Sequence, residues 1–433
     1  MQNISRRRFI QASFTSAAGL SFLPLVKSCI PAANDVIRLG IIGLGRQAVY
    51  LMNGFRQIEG VQIIAGADVY GIKRRRFEKL MNDFYSEKGL NIKVATYEHY
   101  HEILNRKDID GIVIATPDHW HGLMGVEACR AGKDIYMEKP LTFTIKEGVE
   151  LVKAVRNNNI ILATGSQQRS DPNFQHAVNL VKNGALGRIH KVYAPVGGPP
   201  VAYDLPQESV PADLNWDLWL GPLSDYHYNN ELNPPISLDP PVNERIWAAW
   251  RWYKGMGGGY TTDWGAHMFD IAQWALGMDD SGPIGIIPAG YSFYQFLTYE
   301  YMNGVIMTEE PFDEGRSSGV KFIGSDGWIE VSRSRYNASD PSLMPPPKEE
   351  IANSGAYETG IPHLVDFIES MRSRKDPIVP VEIGHRTATT CTLGNIAYEL
   401  MRPVDWNPTT ESFVNDPEAE KFYHNQYRSG YSL

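Results

Sequence analysis

From residue 36 the chain alternates short apolar runs with amphipathic stretches, and the first turn of that alternation reads GLGRQA, residues 43–48. VIRLGIIG before the turn is an apolar run stopped by glycine. RQAVYLMNGFRQI after it repeats apolar residues at helical spacing. VQIIAGAD, DGIVIATP, DIYME and NIILATG follow as strand-like runs, with helices expected near residues 71–88, 119–131 and 144–157. Thr144 and Glu147 form a capping box that opens the last of these helices. Short strands that are apolar throughout and separated by helices are buried on both faces, which is the signature of a doubly wound parallel sheet. That pattern constrains the fold to the α/β class over residues 34–168.

The GLGRQA turn is a dinucleotide pattern with Ala in the third place. Gly43 permits the tight turn, and Gly45 lets a pyrophosphate approach the backbone of Arg46 and Gln47 at the helix start. Asp68 closes the second strand 25 residues after Gly43. A carboxylate there accepts the ribose hydroxyls and repels a 2′-phosphate, which favours NAD over NADP. The basic run at 73–76 tempers that preference and is expected on a solvated helix face. Thr116, Pro117 and His121 follow DGIVIATP's strand, and Glu138 and Lys139 follow DIYME's. All five stand at the carboxyl edge of the sheet, where open α/β sheets bind ligands, and are expected at the cofactor.

After residue 168 the texture changes. A helix near 172–183 ends at Asn183 and Gly184, followed by a Pro- and aromatic-rich loop whose Trp and Tyr content suits a packed segment near a site. GGGYTTDWGAHMFD, residues 257–270, reads as glycines leading into a helix with Asp263 and His267 four apart. Segments 285–312 and 319–333 read as antiparallel strands, and a helix is expected near 362–373. Residues 169–433 are thus expected to form a second, substrate-binding domain. Gln168, Arg169 and Trp252 are substrate candidates, and Trp247 and Trp250 offer further aromatic platforms.

A net charge of -9, with nothing basic gathered outside the first residues and the short 73–76 run, argues against a nucleic-acid partner. The histidines lack ligand spacing, so no metal is expected. Ser5 to Ile10, SRRRFI, matches a twin-arginine export signal and precedes an apolar stretch. Residues 1–33 are therefore expected to be removed and the protein to work in the periplasm. Losing four basic residues leaves 37 against 50 acidic, a net of -13. Cys29 in VKSC is a candidate lipid anchor, the sole membrane attachment in view, although Lys27 fits that box poorly. Cys129 and Cys391 are read as small buried hydrophobes.

GLGRQA, ATPDHWH, MEKP with its capped helix, NGALGRI and GGG…DWGAH together resemble the Gfo/Idh/MocA oxidoreductases, across nearly the whole mature chain. WLGP, the 217–222 neighbourhood and GHRT look like an exported, sugar-active subgroup. The resemblance implies an NAD-binding Rossmann domain and a C-terminal α/β domain with a large open, mainly antiparallel sheet used in homo-oligomers. It also implies catalytic roles for Lys139, Asp263 and His267 on a sugar hydroxyl. In that setting His267 takes the hydroxyl proton, Lys139 stabilises alkoxide charge, and Asp263 orients the imidazole or binds a neighbouring hydroxyl. The expected reaction is hydride transfer between a sugar or glycoside and a tightly held NAD. The alternative is glycoside cleavage through transient oxidation at C3 and elimination, as in the NAD-dependent α-N-acetylgalactosaminidases of this family. A non-enzymatic NAD- or sugar-binding protein is the third reading, disfavoured because all three residues are intact.

Overall fold

A computed structural model describes residues 36–234, 236–238, 247–312, 319–346 and 360–433. The twin-arginine stretch and Cys29 lie outside the described residues. Residues Ile37–Leu433 form one compact unit.

Its first sheet comprises β1 (Ile37–Ile42), β2 (Val61–Ala67), β3 (Ala95–Tyr97), β4 (Gly111–Ile114), β5 (Asp134–Met137) and β6 (Leu162–Thr164). The order is β3-β2-β1-β4-β5-β6 and every pairing is parallel. The strand order reverses between β1 and β4, which opens a crevice at their carboxyl ends. On one face, α1 (Arg46–Phe55) and α2 (Gly71–Glu87) bury Phe55, Phe77 and Met81 against Leu39, Ile41 and Val113. On the other lie α3 (His101–Leu104), α4 (Asp118–Arg130) and α5 (Ile145–Asn158), with Leu123 and Leu151 against Ile112 and Ile114. The capping box of α5 forms as expected: Glu147 N donates to the Thr144 hydroxyl, and the Glu147 carboxylate accepts Thr144 N.

The second domain begins with α6 (Pro172–Lys182), β7 (Ile189–Tyr193), α7 (Trp216–Leu220), α8 (Gly259–Asp263) and α9 (Gly265–Ala275). There follow β8 (Gly285–Ile287), β9 (Thr298–Glu300), β10 (Ile306–Thr308), β11 (Gly319–Gly324), β12 (Trp328–Ser332) and β13 (Tyr336–Ala338). The chain ends with α10 (Ile361–Ser373), α11 (Val381–Leu400), β14 (Val404–Asn407) and β15 (Ser412–Phe413). These strands make a nine-stranded sheet, β13-β12-β11-β7-β10-β9-β8-β14-β15, antiparallel except where β10 runs parallel to β7. Phe174, Met268, Phe269 and Leu393 from its helices meet Val192, Tyr299 and Phe322 in one core. Cys129 and Cys391 are free and buried.

Residues 361–373 return to the first sheet. Leu364, Phe367, Ile368 and Met371 of α10 complete the core of the α1 face, where Phe367 packs edge-on to Phe55 and Tyr136. Gly54 is the point of contact, since a Cβ there would run into Leu364. The basic run at 73–76 is not a solvated face. Arg76 is fully buried and donates to Leu44 O, Lys73 donates to Asn233 Oδ1 at 2.6 Å, and Arg74 donates to Asp68 O. Oxygen acceptors around the ends of β1 and β2 draw these side chains inward, leaving Arg75 exposed beside Asp213.

Candidate active site

The turn after β1 has the form a dinucleotide requires. Gly43 adopts φ +81°, and a Cβ there would lie 2.7 Å from Ala115 O, so the turn presses against the end of β4. A Cβ on Gly45 would meet nothing within 4 Å. The space above Gly45 is the cradle a pyrophosphate would fill. No side chain caps α1, whose leading N–H groups remain available to phosphate oxygens. Gly43, Gly45, Arg46, Gln47, Asp68, Thr116 and Pro117 line one cleft of about 180 Å³. The Asp68 carboxylate is held at its rim by Leu44 N (2.7 Å) and Tyr70 N (2.8 Å). Gln47 donates to Glu138 Oε1 at 2.8 Å, tying the start of α1 to the end of β5. These residues fit NAD.

His121, expected at the cofactor, instead braces the sheet edge. Its Nδ1 lies 2.7 Å from Pro140 O and its Nε2 3.0 Å from Thr116 O, so backbone carbonyls occupy both nitrogens. Burial pushes its pKa down to about 4. Trp247 and Trp250 also line the cleft, with Arg46 over the first ring at 4.4 Å and Arg251 over the second at 4.3 Å. Trp252 stacks on Tyr260 at 4.1 Å, so one face of its ring is already covered by protein.

Lys139 and Asp263 meet across the two domains. Lys139 Nζ donates to Asp263 Oδ1 at 2.8 Å and to Asp263 O at 3.0 Å. Arg251 Nε lies 3.5 Å from the same carboxylate. Burial would raise the Asp263 pKa, but the charges of Lys139, Arg251 and Arg333 outweigh it and hold the group ionised below its usual range. Asp263 therefore does not orient His267, as the four-residue spacing suggested. Trp264 interrupts the helix between them, and the carboxylate turns to Lys139. His267 is buried in the first turn of α9, with Nδ1 unpartnered and its ring 5.9 Å from that of Trp264. Burial first, then the charges of Arg333 and Lys139, press its pKa well below 6.5. The imidazole is a neutral base.

The glycines before Asp263 serve packing rather than substrate approach. A Cβ on Gly257 would lie 2.7 Å from the Arg251 backbone, and one on Gly259 (φ +67°) would collide with Pro199 and Pro200. Arg169 is likewise structural. It is 1% exposed and pairs with Asp270 (2.8 Å) and Asp279 (2.7 Å) while lying against Trp274. A guanidinium this deep requires such partners, which removes it from the substrate. Gln168 borders the site through Arg333, whose Nε it accepts at 3.0 Å.

Three site residues escaped the sequence reading: Arg251, Arg333 and Asp118. Arg251 was hidden among tryptophans, and Arg333 lies far away in sequence after β12. Asp118 lies within the recognised TPDHWH edge, but its burial was not legible there. That burial, partly offset by Arg251, raises its pKa to about 7.

Residues 37–166 match the NAD-binding Rossmann fold domain of the Gfo/Idh/MocA oxidoreductase family, and residues 200–433 match its C-terminal alpha/beta domain. The chain belongs to the Gfo/Idh/MocA oxidoreductase family. Its Rossmann domain is NAD-binding. Among curated proteins it is 27% identical over 262 residues to glycosyl hydrolase family 109 protein 2 of Shewanella sp. (strain ANA-3), covering 55% of each chain. It is 27% identical over 215 residues to an alpha-N-acetylgalactosaminidase of Shewanella oneidensis, covering 44% of this chain and 45% of that one. The chain thus spans about half the length of the curated relatives it matches. Levoglucosan dehydrogenase, solved with NADH and levoglucosan, shares the fold at TM-score 0.57 and 18% identity, over 85% of this chain and 99% of that one. The WlbA dehydrogenase of Bordetella pertussis, solved with NADH and UDP-GlcNAcA, does so at TM-score 0.59 and 16% identity, over 87% and 99%.

Proposed function

We propose that this Gfo/Idh/MocA protein cleaves glycosides without net redox change. The observation that carries the reading is the Lys139–Asp263 pair beside a neutral, unpartnered His267 at the edge of an NAD-binding sheet. The similarity to glycosyl hydrolase family 109 proteins favours cleavage over net oxidation. Gly45 and the start of α1 would hold the pyrophosphate, and Asp68 the adenosine ribose. NAD bound there would take up the C3 hydride and later return it. The uptake would acidify the C2 proton and let the aglycone leave C1 as that proton is lost; water would then restore OH at C1 and H at C2 before C3 is reduced again.

The chain's own groups manage protons and charge. His267 accepts the sugar hydroxyl proton through Nε2, which no protein group occupies among the described residues. Lys139, aimed by Asp263, donates a hydrogen bond to the same oxygen as negative charge develops on it. Asp118 holds its proton up to about pH 7 and lies within electrostatic reach of Lys139 and Asp263.

The test uses purified mature protein without added cofactor and a panel of nitrophenyl glucosides, galactosides and N-acetylhexosaminides. Aglycone release with unoxidised sugar and no lasting near-ultraviolet rise from reduced nicotinamide is the expected result. A lasting stoichiometric rise with a ketosugar product would replace this reading with net oxidation. We further propose export in the folded state with NAD already bound, to the periplasm. Mature protein isolated from that compartment without nicotinamide would contradict it.

A further inference from the structure

Arg333 differs from the other cations of the site. It follows β12 on the second sheet and lies over the indole of Trp264 at 5.0 Å. Lys139 and Arg251 share Asp263 at 2.8 and 3.5 Å. Arg333 forms no ion pair with any carboxylate among the described residues. Its Nε is fixed by Gln168 Oε1, while its two terminal nitrogens make no hydrogen bond to those residues. The side chain is open to solvent, yet its charge is felt by both Asp263 and His267. Three cations therefore surround one firmly ionised carboxylate, and the cation nearest the second sheet presents an unoccupied planar fork. Such a fork matches the two oxygens of a carboxylate and holds them by paired, charge-assisted hydrogen bonds.

We propose that the sugar bound here carries a carboxylate, as a hexuronic acid does, and that Arg333 is the residue that selects it. This names the substrate class of the glycoside-cleaving site and rests on that reading for the reaction itself. Gln168 becomes a positioning residue, because by accepting Nε it leaves the terminal nitrogens for the ligand. An anion at Arg333 also offsets one of the charges that suppress His267, so the base strengthens once the correct substrate is in place.

Calorimetric titration of the NAD-loaded full chain tests this. The probes are methyl glucuronosides and galacturonosides, the matching neutral methyl glucosides and galactosides, and glucose 6-sulfate. At least about tenfold tighter binding of a uronoside than of its neutral counterpart is expected, the scale of one charge-assisted pair. Arg333→Gln should bring that ratio to near one, and Arg333→Lys, which keeps the charge but loses the fork, should leave an intermediate ratio. Absence of a uronoside preference in the wild type, or a ratio unchanged in Arg333→Gln, overturns the proposal. Tighter binding of the sulfate than of any uronoside overturns the carboxylate assignment. If Arg333→Gln fails to fold, the wild-type preference alone decides. Parallel aglycone-release assays separate the two readings: neutral glycosides cleaved without uronoside preference sink this one alone. Uronoside preference without cleavage sinks only the reaction.

Discussion

Asp263→Asn is the most informative perturbation, because it removes charge with almost no change in shape. At 2.8 Å and an effective dielectric near 20, the Coulomb attraction between Lys139 and Asp263 is about 6 kcal/mol. Desolvation offsets much of that, and the two side chains retain 16% and 20% exposure. A net coupling of about 2–3 kcal/mol is then reasonable for a partly buried, hydrogen-bonded pair. Lys139 would keep the Asp263 carbonyl as a partner but would lose its aim and face Arg251 uncompensated. Loss of about 2–3 kcal/mol in the transition state lowers kcat/KM by about 30–150-fold. The assay is aglycone release by NAD-loaded protein, with nicotinamide content measured on the same sample. NAD content should hold, because Asp263 does not line the cofactor cleft. The decisive comparison adds Asp263→Asn to Lys139→Ala. Residues acting as a unit are non-additive, so the second change should cost little in that background. A single mutant within threefold of wild type, or a fully additive double mutant, would refute the claim that Asp263 acts through Lys139.

Four further outcomes follow from the same geometry. Lys139→Ala should retain NAD yet lose most turnover, and full activity in that variant would dismiss the catalytic assignment. Gly45→Ala should fold normally, because its Cβ meets no protein atom, but should purify with markedly less NAD; undiminished NAD content would move the pyrophosphate elsewhere. The pH–kcat/KM profile should keep His267 active well below pH 6.5, since a depressed pKa leaves the base neutral there. On the alkaline side a new carboxylate charge at Asp118 appears as pH rises through about 7, so activity should change there in the wild type and not in Asp118→Asn. Arg169→Ala should destabilise the fold by about 3–5 kcal/mol in urea titration, because it strands buried Asp270; a loss under 1 kcal/mol would show that Arg169 is not a structural keystone.

The parts of this protein that were legible in its sequence are those encoded over short spans. The dinucleotide turn, the apolar strands and the α5 capping box each occupy fewer than about twenty residues, so period and turn chemistry suffice to find them. Lys139 was legible for a related reason, through the short MEKP motif at the carboxyl end of a parallel strand, one of the motifs that carry the family resemblance. What escaped depends on where distant segments meet. Nothing near Arg169 announces Asp270, 101 positions away, and an arginine at a strand end reads equally well as a ligand contact. The Asp263–His267 spacing suggested a side-chain pair, but a break at Trp264 and a cation from the other domain redirected the carboxylate. Arg333 gave no local sign because its position depends on the register of a nine-stranded sheet.

The return of α10 to the first sheet also governs how the protein is made. Leu364, Phe367 and Met371 emerge from the ribosome about two hundred residues after the β6 strand that ends the parallel sheet. Until then the α1 face leaves Phe55 and Tyr136 without their covering helix, so the nascent nucleotide domain has a sticky, unfinished side. A chain truncated before α10 would leave that apolar face open to water. The core of the first sheet is therefore finished only when nearly the whole chain is present.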